Sequence, residues 1–88
     1  MNAEQRVVLR ALGTARGHRL DAFKWPESVA AATPNHMPPA ASGKAQPMGE
    51  RRVRALLNEL VLMGYAERTR SHFGGHAWRI TDEGKAAR

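Results

Sequence analysis

Residues 49–65 read Gly-Glu-Arg-Arg-Val-Arg-Ala-Leu-Leu-Asn-Glu-Leu-Val-Leu-Met-Gly-Tyr, and their periodicity decides the fold. Val53, Leu56, Leu57, Leu60 and Gly64 recur at the i, i+3, i+4, i+7, i+11 spacing of one helix face. An α-helix turns about 100° per residue, so this stripe is wide enough to seat the helix on a core. The opposite side carries Arg51, Ala55, Asn58 and Leu62, with Arg52 and Arg54 on the two flanks. Gly64 predicts the stop, because glycine takes the left-handed cap conformation without a Cβ penalty. In the plainest reading this is a solvated surface helix with its arginines outward. Arginines in the first turns nevertheless oppose the helix dipole, which favours anions there. That cost is accounted for if the helix N-terminus and the arginines share a phosphate.

Composition narrows the class. The chain has 88 residues, enough for one small domain with a modest core. At 42% hydrophobic and 25% charged residues it reads as globular, not disordered. It has no cysteine, which excludes disulfides, thiolate metal sites and a thiol nucleophile. No apolar run resembles a signal peptide or reaches transmembrane length, so the expectation is a cytoplasmic protein with no membrane partner. The net charge of +6 favours a polyanionic partner, and its distribution sharpens the point. Residues 44–79 hold seven cations, Lys44, Arg51, Arg52, Arg54, Arg68, Arg70 and Arg79, against Glu50, Glu59 and Glu67. The excess therefore gathers on the helix of residues 49–64 and on the segment C-terminal to it.

Taken in order, the chain opens with Asn2 as N-cap and Gln5 three residues on, a loose capping box. Val7, Val8, Ala11 and Leu12 then make an apolar stripe, until Gly13 and Gly17 break the pattern, which predicts a first helix of about ten to fourteen residues. In residues 18–25, Leu20, Phe23 and Trp25 alternate loosely with polar residues, either a short strand or an irregular segment anchored by aromatics; the irregular form is preferred. Pro26 reads as the first residue of a short second helix reaching about Ala32, with Val29, Ala30 and Ala32 toward the core and Pro34 ending it. Residues 33–48 contain four of the five prolines with Ser42 and Gly43 and read as loop, long for so compact a domain. Residues 65–80 hold two strand-like runs around Gly74 and Gly75, a hairpin signal. Trp78 and Ile80 share one face of the second run, Ala77 and Arg79 the other, while Arg68 and Arg70 share a face of the first. Thr81 caps a last short helix beginning at Asp82.

The pattern Leu56-x3-Leu60-x3-Gly64-Tyr65, followed by Trp78-Arg79-Ile80-Thr81-x2-Gly84, resembles the winged helix-turn-helix family of DNA-binding domains, in particular small bacterial, archaeal and phage regulators. The resemblance covers residues 49–84 well and residues 2–32 by element order. It implies one domain over residues 1–88, mainly α with a small β-hairpin of two or three strands: a recognition helix over 49–64, a wing over 65–80 and a Pro-rich insertion over 33–48. In that family a tight turn joins the second and third helices, so the insertion is a departure, and it either moves the second helix or contacts DNA itself through Lys44. The chain lacks the long terminal helices by which many members dimerise; the oligomeric state stays open, a homodimer among the options.

The resemblance further implies a double-stranded DNA-binding protein, a small transcriptional regulator or a phage or plasmid accessory factor, nucleoid-associated when bound. Its helix enters the major groove and its basic wing follows the backbone. Arg51, Arg54 and Asn58 suit base edges, since arginine pairs bidentately with guanine and asparagine with adenine. Arg52, Arg68, Arg70 and Arg79 suit phosphates, which position without specifying. His72 either touches phosphate at the wing tip or is simply solvated. His72 and His76 sit four apart, but a hairpin gives that spacing no helical geometry and no acid cluster accompanies them, so no metal site is read. Tyr65, Trp78, Trp25 and Phe23 read as core; Phe73, at the hairpin tip, is free to wedge against a partner. With no nucleophile–base pair, no phosphate-cradling glycine loop and no carboxylate pair, neither catalysis nor a cofactor is expected. The rival expectation is a protein-interaction module or inhibitor of the same fold docking on an acidic protein surface. RNA or single-strand binding is a third.

Overall fold

The computed structural model describes residues 1–14, 22–33, 48–70 and 74–88. The described residues are mainly helical with one two-strand antiparallel sheet: α1 (Ala3–Thr14), α2 (Pro26–Ala32), α3 (Glu50–Leu62), β1 (Ala66–Arg70), β2 (His76–Ile80) and α4 (Asp82–Ala87). No helix among them is long and apolar enough to cross a membrane.

The capping box forms as the sequence predicts. The Gln5 N–H donates to Asn2 Oδ1 at 2.8 Å and the Asn2 N–H donates to Gln5 Oε1 at 2.9 Å, so two helix-start donors are satisfied reciprocally. The buried stripe of α1 is Val8, Leu9, Ala11 and Leu12, rotated from the expected one: Leu9 is buried and Val7 only half-buried. The helix runs 12 residues to Thr14, within the expected length, with Gly13 buried beside its last residue. α2 starts at Pro26 and buries Val29 and Ala30, as expected, with Ala32 half-buried.

α3 buries Val53, Leu56, Leu57 and Leu60 against α1, α2 and β1. Its end is a full Schellman motif. Gly64 takes φ +84°, the Gly64 N–H donates to the Val61 carbonyl at 3.1 Å, and the Tyr65 N–H donates to the Leu60 carbonyl at 2.9 Å. The chain then turns into the hairpin, where Ala66 opposes Ile80, Arg68 opposes Trp78 and Arg70 opposes His76. Directly opposed residues share a face, so Arg68, Arg70, His76 and Trp78 lie on one side and Glu67, Thr69, Ala77 and Arg79 on the other.

Thr81 locks the corner where α3, the hairpin and α4 meet. Its hydroxyl donates to the Gly64 carbonyl at 2.7 Å and accepts from the Gly84 N–H at 3.0 Å, while its own N–H donates to the Tyr65 carbonyl at 3.1 Å. Gly84 lies so close beneath this corner that an added Cβ would stand 2.1 Å from the Tyr65 carbonyl oxygen.

Two features differ from expectation. The segment after residue 21 is not merely irregular: the Lys24 N–H donates to the Trp78 carbonyl at 2.7 Å and the Trp78 N–H donates back at 2.9 Å, an antiparallel bridge on the open edge of β2. The Lys24 side chain is 0% exposed, and its ammonium donates to the Leu12 carbonyl near the end of α1. A cation there both satisfies an orphan carbonyl and meets the negative pole of the helix. Phe23, expected in the core, is instead an exposed hydrophobic with the Arg79 guanidinium 4.7 Å above its ring, because the bridge buries the alternate residue Lys24.

Residues 34–47 lie outside the described residues, Pro34 and Lys44 among them, but their two ends meet. The Thr33 hydroxyl donates to the Ala30 carbonyl at 2.7 Å and accepts from the Met48 N–H at 3.0 Å, and both residues are buried. The end of α2 and the approach to α3 are thus clasped together across the intervening stretch.

Two substitutions test this packing. Leu60→Ala is expected to lower stability by about 2–5 kcal/mol through the cavity it leaves at the centre of the stripe. Gly84→Ala is expected to cost about 1–3 kcal/mol, since backbone must move to admit the methyl group. Thermal unfolding of each variant checks both; an unchanged melting temperature in either would mean the face, or the corner, is packed differently.

Candidate functional site

The rotational phase of α3 sorts its polar residues. With the apolar stripe inward, the Arg52 flank turns toward α1. There Arg52 donates to Glu4, Nη2 to Oε1 at 2.7 Å and Nε to Oε2 at 3.3 Å, and on the same flank Glu59 accepts from the Gln5 amide at 2.7 Å. The hydrogen bond from Glu4 and then its charge raise the Arg52 pKa above the ordinary arginine value. Arg52 is thereby committed to a partner in its own fold, away from the outward stripe.

The Arg54 flank turns toward the hairpin. Arg54 forms an i,i+4 ion pair with Glu50 at 2.7 Å, and Asn58 Oδ1 accepts from Arg68 Nη1 of β1 at 3.2 Å. Between this flank and the hairpin lies a groove of about 440 Å³, walled by Arg54, Asn58, Arg68, His76 and Trp78, with Gly74 and Gly75 at the tip end. A second hollow of about 330 Å³ adjoins it, sharing Arg54, Gly75 and His76 and adding Trp25, Pro26 and Glu27. The tip leans on Trp25: a Cβ on Gly75 would come within 3.0 Å of the indole ring. Gly74, at φ +89°, supplies the turn.

Of the residues singled out from sequence, Arg51, Arg54, Asn58, Arg68 and Arg70 are all exposed, on the outward side of α3 and on the groove face of β1. Arg79 is not with them. It sits on the far face of the hairpin, bonded to Glu67 at 2.9 Å and stacked on Phe23. Lys44 and His72, like Phe73, lie outside the described residues. Tyr65 and Trp25 are half-buried and Trp78 is buried.

Sequence reasoning missed Thr33 and Lys24 as junction residues, and His76 and Trp78 as groove residues. No signal in the sequence ties Arg68 to Asn58, because the contact depends on how the hairpin packs beside α3. Compared with known protein families, curated proteins and solved structures, the chain matches none.

The exposed Asn58–Arg68 bond has a checkable weight. Asn58→Ala is expected to change stability by less than about 0.5 kcal/mol, as for surface substitutions generally. A larger loss in thermal or denaturant unfolding would mean that this single contact holds the hairpin against α3.

Proposed function

We propose that this is a winged helix-turn-helix protein that binds double-stranded DNA. In this reading α2 and α3 are the helix-turn-helix, α3 is the recognition helix and the β1–β2 hairpin is the wing. One observation carries it: the outward donors of α3 run without interruption onto the wing, joined by the Asn58–Arg68 hydrogen bond. The element order supports the fold assignment, and so does the clasp between Thr33 and Met48, which holds the end of α2 beside the approach to α3 despite the insertion.

The roles within the site follow from placement. Arg51, Arg54 and Asn58 face a major groove and suit base edges, Arg54 after exchanging Glu50 for the nucleic acid. Arg68 and Arg70 suit phosphates. Arg52 and Arg79, already paired with carboxylates and turned to other faces, are left out of the contact set. The rival reading, a module docking on a protein, is favoured by one feature: Leu62, on the same outward stripe of α3, is 88% exposed. Together with its neighbour Met63, 40% exposed, it would leave water on docking against an apolar partner surface.

Binding to random duplex DNA at several salt concentrations separates the two. With Arg51, Arg54, Arg68 and Arg70 as the contact set, log K is expected to fall with log[salt] at a slope of roughly −3 to −4. A slope shallower than about −1 would leave the protein-docking reading in place. On the best duplex, Asn58→Ala is expected to cost about 1–3 kcal/mol and much less on random sequence. Arg68→Ala is expected to weaken both alike, and Arg52→Ala to leave both near the parent; a collapse of affinity in Arg52→Ala would place the interface on the α1 side of the helix.

A further inference from the structure

We infer that Asn58 reads a guanine in the major groove, and that Arg68 of the wing is the residue that positions it for that base. This assignment rests on the DNA-binding reading and adds to it the identity of one base. The pairing of asparagine with adenine, expected from sequence, needs both heads of the amide. Its N–H donates to adenine N7 and its oxygen accepts from the N6 amino group. Here the oxygen is engaged, since Asn58 Oδ1 accepts from Arg68 Nη1 at 3.2 Å. A guanidinium has donors and no acceptor, so the amide meets it through its oxygen and keeps its own hydrogens for a guest. Turning the amide over would set donor against donor.

The surroundings of Asn58 sharpen the choice. The outward stripe of α3 runs Arg51, Ala55, Asn58 and Leu62, and the Asn58 oxygen is the sole side-chain acceptor on it. Arg54 and Arg68 stand with Asn58 in the wall of one groove, and no carboxylate lines that wall among the described residues. The oxygen keeps a second lone pair, but an adenine amino group reaching for it would come to rest beside the Arg68 guanidinium. Adenine would then be held by N7 alone, with its amino group left unpaired at a cost. Guanine presents two adjacent acceptors, N7 and O6, which match an amide that offers hydrogens beside cations. Thymine offers one acceptor, O4, next to a methyl group. Arg68 has five N–H donors and uses one on Asn58, so the same guanidinium still reaches a phosphate. Water leaves a bound groove, which strengthens the bond between them, so a wing seated on backbone fixes the amide of the recognition helix.

The test selects binders of the full chain from a library of randomised duplexes. Affinity is then measured, by fluorescence anisotropy at one salt, for four duplexes that differ at the base pair whose preference Asn58→Ala erases. The parent is expected to prefer a guanine-containing pair there by about tenfold over an adenine-containing one. Arg68→Met keeps the stem of the side chain and removes its donors. It is expected to weaken the guanine duplex and random DNA alike, while the adenine duplex loses less and the preference shrinks toward unity. Arg68→Lys, whose ammonium also donates to an amide oxygen, is expected to restore most of the preference. If Arg68→Met lowers all four affinities by one factor, Arg68 is a phosphate contact with no hold on Asn58, and its positioning role is overturned. A parent that prefers adenine at this pair overturns the assignment without recourse to any Arg68 variant. So does a chain that binds duplex yet has no position governed by Asn58; in both cases DNA binding stands. A chain that enriches no sequence and binds no duplex at low salt retires the DNA reading, and this assignment with it.

Discussion

The rotational setting of α3 governs the arrangement of everything else. Four apolar side chains, Val53, Leu56, Leu57 and Leu60, must leave water together, and a helix offers only one rotation that buries all four. Once they are inward, Arg52 and Glu59 are delivered to α1, where Glu4 and Gln5 receive them. The same rotation brings Arg54 and Asn58 to the hairpin side. Hydrophobic burial is non-directional, yet through the helical repeat it decides which cation meets a carboxylate and which remains available to a partner.

Lys24 works as a second organiser. A buried ammonium is costly unless its hydrogens are used, and here it ties the end of α1 to the open edge of the hairpin. Its backbone pairs with Trp78, and its side chain reaches back to Leu12. One residue thus holds three parts of the chain, and its alternation with Phe23 puts an aromatic ring outside, beneath Arg79. The outer face of the hairpin becomes a self-contained stack of Glu67, Arg79 and Phe23, while the inner face keeps its cations exposed.

Most of the fold was legible because its signals are local. The Asn2–Gln5 box, Pro26 at the start of α2, Gly64 after α3 and Thr81 before α4 each act within one turn, and the structure realises each of them. The period of the α3 stripe was enough to name its buried face. What sequence could not give was tertiary choice. A lysine reads as solvated until a carbonyl end is placed beside it, and Val7 and Leu9 are equally apolar until α3 and α2 decide which one faces in. Arg52, Arg68 and Arg79 look alike along the chain. Only the positions of Glu4, Asn58 and Glu67 separate them. The candidate site was therefore readable as a set of residues and unreadable as a partition of that set.

The clasp at Thr33 and Met48 has a consequence for how such a chain tolerates change. Where two ends are pinned together, the part of the folding cost that depends on length alone is a closure entropy, which grows with the logarithm of that length. Halving the number of residues between the pins alters that cost by only about 0.6 kcal/mol. Length alone is accordingly a weak constraint on the span between α2 and α3. The two helices keep their mutual setting so long as position 33 supplies a hydroxyl and position 48 a free amide.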